Sequence, residues 1–96
     1  MRMVSYPLRE TDELQTLHLS YGSRIVSVTE REMIPVLNIL VPVNDQDTEE
    51  YKIQVVSNRY TEEGYPLQGY ECVGSISLRR DWNTHFVFVR KVHGNI

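Results

Sequence analysis

Cysteine is almost missing from this chain of 96 residues: Cys72 is the only one. That excludes an intrachain disulfide and leaves at most one thiolate for any metal. Such usage fits a reducing compartment better than a small secreted scaffold stapled by bridges. Excess positive charge is missing too, because ten Lys and Arg stand against thirteen Asp and Glu for a net charge of -3. No basic arm or dense cationic face exists to neutralise many phosphates, which disfavours nucleic acid as a partner. Long apolar runs are also lacking, and none approaches the roughly 20 residues needed to span a bilayer. The opening Met1-Arg2-Met3-Val4-Ser5-Tyr6-Pro7 has neither the apolar core nor the small-residue cleavage site of a secretory signal. These absences predict a cytoplasmic protein with no membrane contact.

Helical spacing is the last thing missing. No long segment repeats apolar residues every three to four positions, and only Glu10 to His18 has room for a brief helix. At 41% hydrophobic and 24% charged, the composition is that of an ordinary globular chain. Its length suits one domain with a thin core, a setting in which a second copy often completes the burial. A homo-oligomer is the resulting expectation.

What is present is period two. Met3 to Leu8 places Val4, Tyr6 and Leu8 on one face, with Pro7 favouring a sheet edge because it lacks an N–H. Glu13 to Leu19 points Leu17 and Leu19 inward and leaves His18 outside. Tyr21-Gly22-Ser23 reads as a turn before Arg24 to Glu30, where Val26 and Val28 alternate with Ser27 and Thr29. Ile34 to Val43 is apolar on both faces, so it is expected to be central in a sandwich or barrel or to lie under an interface, with Pro35 and Pro42 shortening its hydrogen-bonded part.

Asn44 to Glu50 is polar and acidic and reads as an exposed connection; Tyr51 to Val56 resumes a strand with Tyr51, Ile53 and Val55 on one face. Asn58 to Gly69 is the longest irregular segment, and its Tyr60, Tyr65 and Leu67 are expected to fold over one end of the core. Tyr70 to Leu78 alternates Cys72, Gly74, Ile76 and Leu78 against Glu71, Val73, Ser75 and Ser77. That predicts a buried Cys72, and Gly74 marks strong twist, a bulge or the close approach of a second sheet. Arg79 to Asn83 connects to Thr84 to Val92, which sets Phe86, Phe88 and Arg90 against His85, Val87 and Val89. This last strand is as two-sided as Ile34 to Val43, and the two are expected to be neighbours. The fold class is therefore all-β: a small antiparallel β-sandwich or partly open barrel of about seven strands in a single domain, 1–96.

Several strings carry a resemblance: Tyr6-Pro7-Leu8 followed by Thr11-Asp12-Glu13, Gly22 to Val28, Leu37 to Val43, Tyr70 to Ile76, and His85-Phe86-Val87-Phe88. In this order, over about four-fifths of the chain, the sequence resembles a family of small uncharacterised β-domain proteins encoded by bacteriophages and prophages. The resemblance implies a compact β-domain and a phage setting, and it supplies no catalytic residue, substrate or cofactor.

The chemistry-bearing residues form no recognisable active site. Asp45, Asp47, Glu49 and Glu50 lack the spacing, central Gly and bidentate Glu of a calcium loop and read as a solubilising connection. His18, His85, His93 and Cys72 are scattered without zinc-ligand spacing, so neither a metal nor a cofactor is expected. No serine sits in a nucleophile elbow, and the glycines make no phosphate loop. An enzyme would need a His–acid or paired-acid site assembled from separate strands.

The mixed cationic and aromatic set is more suggestive: Arg79, Arg80 and Trp82, with Arg59, Tyr60 and Tyr65. Guanidinium groups hold carboxylate or phosphate in bidentate geometry, and aromatic rings make rigid apolar anchors. The leading expectation is a non-enzymatic interaction module that binds a host or phage protein through this set. The alternative is a small-ligand or nucleotide-binding, sponge-like protein in which Arg79 and Arg80 take an anionic group and Trp82 stacks on a ring.

Overall fold

The computed structural model describes residues 1–9, 14–43, 47–57, 69–77 and 84–92. They form seven strands: β1 (Arg2–Pro7), β2 (Gln15–Ser20), β3 (Arg24–Arg31), β4 (Ile34–Val41), β5 (Thr48–Ser57), β6 (Glu71–Ser77) and β7 (Thr84–Val92). All pair antiparallel in two sheets, a three-stranded one ordered β1-β4-β3 and a four-stranded one ordered β2-β5-β7-β6. The chain is all-β, as the period-two pattern predicts; its strands form no closed barrel, and no helix occurs among the described residues. The extents of 40 × 31 × 16 Å match two layers, since stacked sheets lie about 10 Å apart.

The two-sided β4 is central in its sheet, and Pro7 lies on an edge strand where its missing N–H costs no ladder bond. From β4, Leu37, Ile39 and Val41 face Leu19, Tyr51, Ile53, Val55, Val87 and Val89 of the other sheet in one buried cluster. Burying each such side chain is worth about 1.5–3 kcal/mol, which makes this layer the main stabilising element. The opposite face of β4 carries Asn38, whose Oδ1 accepts from Ser5 Oγ at 2.7 Å. Its Nδ2 donates to Ser27 Oγ at 3.1 Å and Thr29 Oγ1 at 3.0 Å. This polar ladder ties β1, β4 and β3 together on the outside.

Two irregularities change which residues face the core. A register shift between Ile25 and Ser27 makes Val26 an extra residue, so Ile25 and Val28, not Val26 and Val28, share the inner face. Val26 is exposed. A second shift between Cys72 and Gly74 does the same in β6. Cys72 lies opposite Phe88 and is exposed, contrary to the buried small hydrophobe that strict alternation predicts. Gly74 is where the sheets touch: a Cβ there would sit 3.1 Å from Val28 Cβ and Cγ2.

Other expectations also shift. β4 and β7 are not neighbours; they occupy different sheets and face each other across the core. Thr48, Glu49 and Glu50 belong to β5 rather than to a connection, because pairing with β2 extends the strand beyond its apolar part. Gln15 to His18 is strand, not helix. Gln15 is buried because its amide pairs with the Arg9 peptide group: Arg9 N–H donates to Oε1 at 2.9 Å, and Nε2 donates to Arg9 C=O at 2.7 Å. β3 and β4 are joined by Glu32-Met33, both with positive φ (51° and 69°), the two-residue turn whose twist suits a hairpin.

Candidate functional site

Arg59, Tyr60, Tyr65, Arg79, Arg80 and Trp82 all lie outside the described residues, as do Asp45 and His93. The strand ends that flank them are described. Ser57 opposes His85, and Ser77 opposes Thr84, so both segments depart from the same end of the four-stranded sheet. The described residues resume at Gly69, beside the start of β6, at the other end.

That other end, where β3, β5 and β6 begin and β2, β4 and β7 finish, holds the clearest site among the described residues. β3 and β6 are held together at Val28 and Gly74, and toward their starts they leave an open cleft of about 370 Å³. Ile25, Val73 and Val89 give it an apolar floor, while Arg24, Tyr51, Glu71 and Lys91 supply polar groups. A larger depression of about 610 Å³ shares Glu71, Val89 and Lys91 and extends past Gly69 and Arg90.

Lys91 is fixed by its neighbours. Its Nζ lies 2.7 Å from Glu49 Oε1, and it stands over the Tyr21 ring at 5.8 Å from the centroid. The hydrogen bond to Glu49 raises the ammonium's pKa above its ordinary value. Burial, and then the Glu49 carboxylate, raise that of the Tyr51 phenol, with the Lys91 charge pulling the other way. Tyr51 Oη donates to Glu49 Oε2 at 3.4 Å, a long bond. Both groups therefore keep their protons at neutral pH. Arg24 and Glu71 differ: among the described residues neither has an ion-pair partner, although they line the same cleft.

The same end gathers apolar surface. Met1, Val43, Tyr21 and Met3, at 67, 66, 59 and 55% exposure, are the four most exposed large hydrophobic residues described, and all belong to it. The opposite end offers Leu14, Met33 and Ile34, each below 50%. Arg2, Arg24, Arg90 and Lys91 lie at the same end, as do Glu49, Glu50 and Glu71, and Arg90 stands over the Tyr70 ring at 5.8 Å.

Sequence reasoning did not single out Arg24, Tyr51, Glu71 or Lys91. They come from four strands: pairing of β5, β7 and β6 makes neighbours of Tyr51, Lys91 and Glu71, and the packing of β3 against β6 adds Arg24. Adjacent Tyr70-Glu71 and Arg90-Lys91 at strand ends were the available signal. No group of three or more His, Cys, Asp or Glu side chains fit to hold a metal occurs among the described residues, and no helix of theirs is long and apolar enough to cross a membrane. Comparison with family models, with curated proteins and with solved structures gives no match to the chain.

Proposed function

We propose that this protein is a cytoplasmic interaction module that binds another protein through the end formed by Met3, Tyr21, Val43, Arg24 and Lys91. The observation that carries this reading is that the four most exposed large apolar side chains described share that end with four cationic ones. A tyrosine and arginines beside exposed aliphatic groups are the residue types that dominate binding energy when a partner excludes water from them. Such a patch is costly to leave in water and explains itself when covered. The phage or prophage setting, and hence a host or phage partner, rests on the resemblance of the sequence strings. Self-association is the second way to cover the same end, and the thin two-layer core makes a homo-oligomer consistent with it.

Native mass spectrometry of the protein purified gently from a phage-infected bacterial host tests this directly. The expected result is a host or phage protein, or a second copy, at fixed stoichiometry. In the double variant Tyr21→Asp, Val43→Asp that complex is lost while the circular dichroism of the sheets is retained. A bare monomer, or a complex indifferent to the double variant, overturns the assignment.

A further inference from the structure

The cleft between β3 and β6 has a charge arrangement that the apolar patch does not explain. Arg24 on one wall and Glu71 on the other are opposite in sign, line the same space and are not paired with each other or with another described side chain. Lys91, the third charge, is already matched by Glu49 at 2.7 Å. The cleft is therefore close to neutral overall but split, with one uncompensated cation and one uncompensated anion above Ile25, Val73 and Val89.

Arg24 and Glu71 are exposed and keep part of their water, so a ligand binds best there when each wall charge meets a counter-charge. An anion such as phosphate would satisfy Arg24 and be repelled by Glu71. A simple amine would do the reverse. A polyphosphate also exceeds the cation supply, since Lys91 is committed to Glu49. A molecule with a carboxylate and an ammonium on neighbouring atoms satisfies both, and its apolar side chain meets the aliphatic floor. The volume of about 370 Å³ falls at the small end of the roughly 300–1,000 Å³ range of ligand clefts, which suits a molecule of this size.

We infer that the β3–β6 cleft binds a small zwitterion of the aliphatic α-amino acid class, its carboxylate taken by Arg24, its ammonium by Glu71 and its side chain by Ile25, Val73 and Val89. The inference concerns the cleft alone and stands whether or not the neighbouring apolar end binds a protein.

The test is a titration of the full, isotope-labelled chain followed by amide chemical shifts, with three probes: L-leucine, L-leucine amide, which lacks the carboxylate, and N-acetyl-L-leucine, which lacks the ammonium. The expected result is saturable shifts at Ile25, Val73, Val89 and Lys91 with L-leucine and at least tenfold weaker binding of both analogues. Arg24→Gln and Glu71→Gln should each weaken L-leucine at least tenfold. Both side chains are on exposed edge positions, and the amide spectrum of each variant reports retention of the fold in the same experiment. Absence of saturable shifts with L-leucine overturns the inference. So does equal binding of the three probes, or L-leucine binding unchanged in both variants. Tighter binding of N-acetyl-L-leucine would show an anion site and overturn it as well. Val43→Asp alone, which keeps the Tyr21 ring against Lys91, should leave L-leucine affinity unchanged, which separates failure of this inference from failure of the partner-binding reading.

Discussion

The two sheets meet along β3 and β6 in two different ways. At the waist, Gly74 lies so close to Val28 that a single added carbon would stand 3.1 Å from its side chain. A few residues away, at the mouth, the same two strands leave a cleft lined by Arg24, Ile25, Glu71 and Val73. The waist works by lacking a side chain, and the mouth by carrying long charged ones whose desolvation would be costly if the sheets closed on them. The sheets thus touch at Gly74 and stand apart at the mouth, where the cleft lies.

The largest effect on this comparison is expected from Gly74→Val. Overpacking a close contact costs about 1–3 kcal/mol, so the denaturant midpoint should fall clearly. Val28→Ala in that background should recover part of the loss, and a double-mutant cycle that finds the two changes additive would show that the contact is not the cause. The far end of β3 supplies a change of opposite sign. Glu32 and Met33 both adopt the left-handed region, which costs a residue with a side chain roughly 1–2 kcal/mol. Met33→Gly should stabilise the chain by about 1 kcal/mol in the same denaturant experiment, less the extra chain entropy of glycine.

At the mouth the effects are smaller. Glu49→Gln removes the partner of a half-exposed Lys91 and should lower the denaturant midpoint less than Gly74→Val does. Its sharper signature is alkaline. The pKa values of Tyr51 and Lys91 are both raised in the folded chain, so their contribution to stability is present below the ordinary values of 10.0 and 10.5 and is lost as pH rises through the raised ones. Thermal unfolding followed above pH 10 should show this loss in the wild type and a smaller one in Glu49→Gln. An identical alkaline decline in the two would contradict the Glu49 contacts. Arg24→Gln and Glu71→Gln should change stability by no more than about 0.5 kcal/mol, because neither charge is paired among the described residues. A larger loss in either would mean that the side chain holds the mouth in shape rather than waiting for a ligand. Cys72, exposed by the bulge, should react with a thiol reagent in native buffer as fast as in denaturant.

Legibility in the sequence followed the period-two signal and stopped where it breaks. Ile34 to Val43 reads as a central strand because apolar groups on both faces need cover on both sides, and β4 is central. Leu17 and Leu19 inside with His18 outside follow from alternation alone, as found. Counting by twos fails at Val26 and Val73, since a bulge inserts one residue and reverses every face beyond it. That is why Cys72 is exposed although it shares parity with Ile76 on paper. The polar Thr48 to Glu50 was misread for another reason: backbone pairing with β2 makes a strand there that composition does not announce.

The sequence by itself determined an all-β chain of seven strands, most of the strand positions and the inward residues of the regular strands. Those properties are local, set by the geometry of alternating side chains and by residues with or without an N–H or a Cβ. Only the tertiary structure decided that β4 and β7 lie in separate sheets, that Lys91 is held by Glu49, and that Arg24 and Glu71 face one cleft unpaired. These depend on which strands pair and how far the sheets stand apart, quantities fixed by the summed packing of the whole core and carried by no single segment of the chain.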